Sequence, residues 1–131
     1  MNNEVLLVRQ FRAPYKETIF EIPAGKLEKD EDPFEAAKRE FAEECGCEAG
    51  DFRYIGELYP TPGYCGEIIR LYYASKLTFG KQHLDEDERL DVYKVPLEEA
   101  FMRVMNGEFK DAKTQIGIMK IREMIKNGGL S

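Results

Sequence analysis

The chain alternates short apolar runs with strongly polar stretches, and the spacing inside each run predicts an element. Val5 to Phe11 (VLLVRQF) reads as a buried opening strand. Glu17 to Ile22 (ETIFEI) reads as a second strand, stopped by Pro23 and the small pair Ala24-Gly25. A helix follows. Asp32 suits the N-cap, Pro33 the first helical position, and Glu35 completes a capping box three residues after Asp32. Phe34, Ala37 and Phe41 recur at spacings of three and four, which puts them on one face, and Gly46 fits the left-handed position that ends a helix. Phe52 to Leu58, Ile68 to Ser75 and Asp91 to Val95 read as further strands. Leu97 to Asn106, closed by Gly107, and about Ala112 to Lys126, closed by Gly128-Gly129, read as helices. Interleaved strands and helices give an α/β or α+β class, with a mixed sheet packed between helices. Sheet order does not follow from the pattern.

Composition narrows the function classes. The 131 residues suit one domain and bury a real core, and 43% apolar residues with fifteen aromatics are those of a globular chain. No apolar run approaches the roughly 18 residues of a membrane span, and no basic-then-apolar export signal opens the chain. A soluble cytoplasmic protein is expected, with no membrane partner. The net charge of −6 argues against a nucleic-acid partner, because phosphate backbones want clustered Lys and Arg. A polyanionic small substrate fits only if metal ions supply positive charge. Cys45, Cys47 and Cys65 have no zinc-type spacing, and the single histidine, His83, sits in a polar stretch. Reduced structural thiols and a surface histidine account for them.

The helix after Asp32 carries the candidate chemistry. Glu40 and Glu44 are four apart and Glu43 lies beside them, so three carboxylates leave one quadrant. Like charges at this spacing cost about a few tenths of a kcal/mol per pair. The spacing alone allows two readings, a solvated acidic face or a site for a hard divalent cation, which takes oxygen ligands.

The wider pattern separates them. From Gly25 the chain reads GKLEKDEDPFEAAKREFAEECGC: Gly25, five residues, Glu31, seven residues, then Arg39, Glu40, apolar Phe41, a spacer, Glu43, Glu44, a spacer, Gly46 and apolar Cys47. This resembles the Nudix box at every defining position. From average residue usage, nine such agreements arise by chance less than about once in a hundred million starting points. The resemblance implies the Nudix fold and hydrolysis of a nucleoside diphosphate linked to another group. It implies Glu40, Glu43 and Glu44 as metal ligands, with the Ala24 carbonyl as a further oxygen ligand at the Gly25 turn. It implies Mg²⁺ as cofactor, with Mn²⁺ an acceptable substitute, and Arg39 with Glu31 tying the helix to its preceding loop. Glu43 and Glu44 then also count as catalytic, since their ions neutralise the pyrophosphate and activate the attacking water.

Outside the box, VRQFR (Val8 to Arg12), FEIPAG (Phe20 to Gly25), YPTPGYCGE (Tyr59 to Glu67) and GEFKDAKT (Gly107 to Thr114) resemble the ADP-ribose pyrophosphatase branch. Pro62, fifteen residues after the box, stands close to the branch's marker proline, in what is in any case a turn. By this resemblance Arg9 and Arg12 are candidate phosphate contacts, although strand ends on a surface also carry arginine. Glu21 and Glu67 are candidates for ribose or base. The acidic run Leu84-Asp85-Glu86-Asp87-Glu88 resembles the branch's acidic loop, with Glu86 as general base and Glu88 as metal ligand. Acidic runs are otherwise ordinary solvated surface.

The expected reaction is Mg²⁺-dependent cleavage of ADP-ribose to AMP and ribose 5-phosphate. The alternatives are another nucleoside diphosphate derivative (a sugar nucleotide, a dinucleoside polyphosphate or an oxidised nucleotide) and a non-catalytic nucleotide sensor, which a whole box disfavours. Branch members usually carry several tens of residues before the VRQFR strand, used in dimer contacts. Here Met1 to Glu4 precede it, so 1–131 is expected to form one Nudix domain without those strands. A homodimer is still expected, because an apolar opening strand with an uncovered edge favours association.

Overall fold

The computed structural model describes residues 3–24, 30–79 and 92–130. Its elements run β1 (Glu4–Arg12), β2 (Glu17–Glu21), α1 (Pro33–Cys45), β3 (Cys47–Leu58), β4 (Ile69–Phe79), β5 (Val92–Pro96), α2 (Leu97–Met105) and α3 (Ala112–Lys126). They fall into two compact units, Met1–Ile22 with Asp91–Ser131, and Pro23–Leu90.

The first unit is a three-stranded antiparallel sheet in the order β2-β1-β5, together with α2 and α3. β1 is central because its VLLV run is apolar on both faces, and Leu7 and Val8 are wholly buried; paired with β2 on one side and β5 on the other, it lacks the uncovered edge expected of the opening strand. A four-residue turn, Ala13 to Lys16, returns the chain into β2. It is tied by Tyr15 N–H to the Arg12 carbonyl and Lys16 N–H to the Ala13 carbonyl, with Lys16 at a positive φ of 54°. Leu7, Val95, Leu97, Ala100, Val104, Phe109 and Ile118 form the core, flanked by Phe20 and Ile22. Asp111 caps α3, its carboxylate accepting from the Thr114 N–H at 3.0 Å.

The second unit packs α1 on the β3–β4 ribbon. The caps are as the sequence predicts: Asp32 accepts from the Glu35 N–H at 3.0 Å, Pro33 opens the helix, and Gly46 closes it at φ 66°. The apolar face meets aromatic strand residues. Phe34 lies 5.4 Å from Phe52 and 5.9 Å from Tyr72, and Phe41 lies 6.2 Å from Phe52. Edge-to-face rings such as Phe34 on Phe52 and on Tyr72 add about 0.5–1.5 kcal/mol per pair beyond area burial. The helix orientation, and so the direction of its acidic face, is fixed by this contact.

The strands differ from expectation at their ends. β3 begins at Cys47 rather than Phe52, because Glu48, Ala49 and Asp51 pair with Thr78, Leu77 and Ser75 of β4. Those residues have weak strand preference, and cross-strand pairing decides their state. The ladder shifts register between Tyr54 and Gly56, where Gly56 takes a φ of 137° that a side chain would oppose. No helix among the described residues is long and apolar enough to cross a membrane.

Candidate functional site

The acidic cluster is built on the second and third turns of α1. Arg39 organises it. Its Nε and Nη2 donate to the two oxygens of Glu31, each at 3.0 Å, and its Nη1 reaches Glu40 at 3.1 Å and Glu43 at 3.2 Å. Its pKa is raised, chiefly by the hydrogen bonds to Glu31. Arg39 therefore does what the box pattern implies, tying α1 to the segment before it, and it also restrains two of the three box carboxylates.

Glu44 is held differently. Burial pushes its carboxyl up to about 7; the nearby charges of Glu40 and Glu43 add to the rise, and a hydrogen bond from the Ala24 backbone opposes it. One oxygen, Oε2, is buried with no hydrogen-bond partner among the described residues. A buried carboxylate oxygen without a donor is costly, and a hard cation is the partner that would satisfy it next to two more carboxylates. The donor set, carboxylate oxygens beside the Ala24 backbone, thus fits a divalent ion of the Mg²⁺ type. Among the described residues no three acidic, histidine or cysteine side chains converge on one ion position. Glu40 and Glu43 are drawn onto Arg39 instead, so a bound ion would compete with the guanidinium for them.

Cys45 and Cys47 flank this region as buried cysteines outside any disulfide, and burial pushes the Cys45 thiol up to about 12, which leaves it unreactive. Cys65 is exposed, with its sulfur 3.0 Å from the Thr61 hydroxyl. Pro62 and Glu67 lie exposed in the loop after β3. There the Thr61 carbonyl accepts from the Tyr64 and Cys65 N–H groups at 2.9 and 3.0 Å, which makes Pro62-Gly63 a tight turn.

In the first unit, Arg9 is exposed on β1, with its guanidinium 5.6 Å from the centre of the Phe20 ring across the ladder. Arg12 makes a two-pronged pair with Glu21, through Nε at 2.5 Å and Nη2 at 2.6 Å. Glu21 is 1% exposed and also accepts from Lys113 Nζ at 2.7 Å. Burial pushes its pKa up, but the hydrogen bonds and charges of Arg12 and Lys113 outweigh it, and the net shift is downward. In this arrangement the Glu21 carboxylate faces its two cations rather than a ribose or base. Lys113 and Asp111 escaped the sequence reading. Their signal was present in the GEFKDAKT stretch, but nothing local says that it meets a strand 92 positions earlier. Gly25, His83, Glu86 and Glu88 lie outside the described residues.

An α1 cluster of this geometry, behind its capping box and tied by Arg39 to Glu31, is that of a Nudix domain, and comparison with known proteins agrees. The NUDIX domain family matches residues 1–115, and the chain belongs to that family. It is similar to an ADP-ribose pyrophosphatase of Bacillus subtilis (42% identity over 121 residues, 91% of this chain and 65% of the relative). It is similar also to a methanol dehydrogenase activator of Bacillus methanolicus (38% over 129 residues, 95% and 70%). A GDP-mannose pyrophosphatase of Citrobacter koseri matches at 34% over 119 residues (84% and 62%). The chain thus spans about two thirds of the length of the curated relatives it matches. A solved structure titled an ADP compounds hydrolase superposes with a TM-score of 0.84 at 25% identity, covering 98% of this chain and 70% of that one. The fold is accordingly the α+β Nudix fold.

Proposed function

We propose that this chain is a Mg²⁺-dependent hydrolase that cleaves the pyrophosphate bond of ADP-ribose to give AMP and ribose 5-phosphate. The observation that carries the reading is Glu44: a half-buried carboxylate whose buried Oε2 has no hydrogen-bond partner among the described residues, crowded by Glu40 and Glu43 inside an intact box. Glu40, Glu43, Glu44 and the Ala24 carbonyl would hold Mg²⁺ (Mn²⁺ in its place), with Glu88 as a further ligand. Once bound, the ion supplies neutralisation of the diphosphate and a lower pKa for the attacking water. Glu86 takes the proton from that water as it adds to one phosphorus and the bridging P–O bond breaks. Arg9 and Arg12 bind phosphate oxygens, Pro62 shapes the loop against the nucleotide, Glu67 binds ribose or base, and Glu21 serves this side through Arg12. Three cysteines outside any disulfide fit the reducing cytoplasm.

The test is a panel of ADP-ribose, GDP-mannose, a dinucleoside polyphosphate and an oxidised nucleotide, each with Mg²⁺ or with EDTA, read by anion-exchange chromatography. Magnesium-dependent release of AMP and ribose 5-phosphate, fastest from ADP-ribose, is expected; a folded protein inert towards the whole panel overturns the reading. The GDP-mannose pyrophosphatase relative favours a second reading, a sugar nucleotide as preferred substrate, and the same panel decides between them. We also propose a homodimer, on the exposed Phe11 and Tyr15 of the β1–β2 hairpin and the general advantage of closed two-fold association. Light scattering behind size exclusion tests it, and a clean monomer of about 15 kDa that turns over normally would refute it.

A further inference from the structure

Four charged groups in the first unit form a closed network. Glu21 accepts from Arg12 and Lys113; Lys113 also donates to both oxygens of Asp111, at 3.1 and 3.0 Å. Asp111 in turn accepts from the Thr114 N–H and, at 2.7 Å, from its hydroxyl, and the Thr114 oxygen accepts from the Ile22 N–H at 2.9 Å. Glu21 and Thr114 are 1% and 0% exposed, so the network is internal, and its outer boundary is Arg12, whose side chain is 40% exposed. The Arg12 pairing uses Nε and Nη2 and leaves Nη1 without a partner among the described residues.

Core packing alone does not call for such a network, since ion pairs out of water recover little more than their desolvation cost and apolar side chains would fill the space as well. What it does achieve is geometric and electrostatic. A two-pronged carboxylate fixes the plane of a guanidinium in a way that a single contact does not. Lys113 brings the four groups to neutrality and holds the Glu21 carboxylate on which Arg12 rests.

We propose that Glu21 and Lys113 are positioning residues that hold the Arg12 guanidinium, with its free edge outward, for the diphosphate of the substrate. This rests on the reading of Arg12 as a phosphate contact in the proposed hydrolase. The test is a double-mutant cycle read as equilibrium binding of the non-hydrolysable α,β-methylene analogue of ADP-ribose. Lys113→Gln should weaken binding about 10-fold in the wild-type background and less than about 2-fold in an Arg12→Ala background, since the effect passes through Arg12. Lys113→Arg, which keeps a cation against Glu21, should recover most of the affinity. In turnover assays KM should rise while kcat stays near wild type. If Lys113→Gln does not fold, Glu21→Asp, which retracts the carboxylate but keeps its charge, is put through the same cycle with the same expectation. Equal losses in both backgrounds, or no loss in either, overturn the proposal. Wild-type protein that neither binds the analogue nor cleaves any member of the panel instead removes the hydrolase reading, and the proposal with it.

Discussion

Glu21 and Glu44 are the same side chain, both drawn from water, in opposite electrical surroundings. Glu21 lies between Arg12 and Lys113, every demand on its oxygens is met, and its pKa falls. Glu44 sits beside Glu40 and Glu43, one oxygen has no donor among the described residues, and its pKa rises to about 7. Burial pushes both the same way, so neighbouring charge and hydrogen bonds make the difference. A buried carboxylate with its cations built in belongs to the architecture around it. One that is buried against like charge is unfinished until a cation arrives, and such unsatisfied groups mark sites where chemistry is done.

The sharpest way to break this contrast is to neutralise each carboxylate. Glu44→Gln removes a charge that the fold does not use, so the thermal midpoint of the metal-free protein should hold or rise. Turnover should fall by about 10³-fold, because transition-state charge loses its counterion site. Glu21→Gln should do the reverse, lowering stability while leaving chemistry on bound substrate largely intact. Circular dichroism melts beside steady-state kinetics check both. A folded Glu44→Gln enzyme with near wild-type turnover would end the metal assignment.

The acidic run near residue 86 extends the comparison to a third kind of carboxylate, the proposed general base. Glu86→Gln should lower kcat by about 10²-fold with KM little changed. Glu88→Gln should instead raise the Mg²⁺ concentration needed for half-maximal rate. If both leave the kinetics untouched, the run is solvated surface and the base lies elsewhere.

A smaller effect tests whether Glu44 waits for an ion. A Mg²⁺ ion that binds only the folded state would, at about 100 times its dissociation constant, add about 2.7 kcal/mol. The thermal midpoint should climb by several degrees in wild type and hardly at all in Glu44→Gln. Differential scanning fluorimetry with and without EDTA reads this without any turnover. Equal shifts in the two proteins would place the ion away from Glu44.

The two clusters were unequally visible in the sequence, for a physical reason. The α1 cluster is local: Asp32, Pro33, Glu35 and Gly46 set the helix bounds, and spacing put Glu40, Glu43 and Glu44 together before any tertiary contact was known. What spacing missed was that Arg39 would reach Glu40 and Glu43 as well as Glu31. The Glu21 network joins residues 92 positions apart, and FEIPAG contains no sign that a lysine of GEFKDAKT will neutralise it. Glu21 therefore reads from sequence as a ligand contact, while the structure encloses it. The early start of β3 was hidden likewise, since Glu48, Ala49 and Asp51 become strand only through β4.

The smallest expected effect concerns pH and isolates Glu21 alone. Its folded pKa lies below that of an unfolded glutamate, so folding favours the ionised form. The sign follows from linkage: the stabilisation is fully present above the ordinary carboxylate range near 4.5 and is lost as pH falls through the lowered folded value. Below this window Arg12 and Lys113 face a neutral carboxyl and each other. Other carboxylates with lowered values, Asp51 beside Arg53 and Glu98 beside Arg122, add slopes of the same sign. A single acid titration therefore cannot assign the effect. The difference between wild type and Glu21→Gln can, because every other group cancels. Wild type should melt higher at pH 7 by an amount that is constant down to about pH 5, then narrows by about 2–5 °C towards pH 3. Melting curves of both proteins at half-unit pH steps measure it. A gap that stays constant down to pH 3 would mean that the two cations do not favour ionised Glu21, and the contrast with Glu44 would then rest on Glu44 alone.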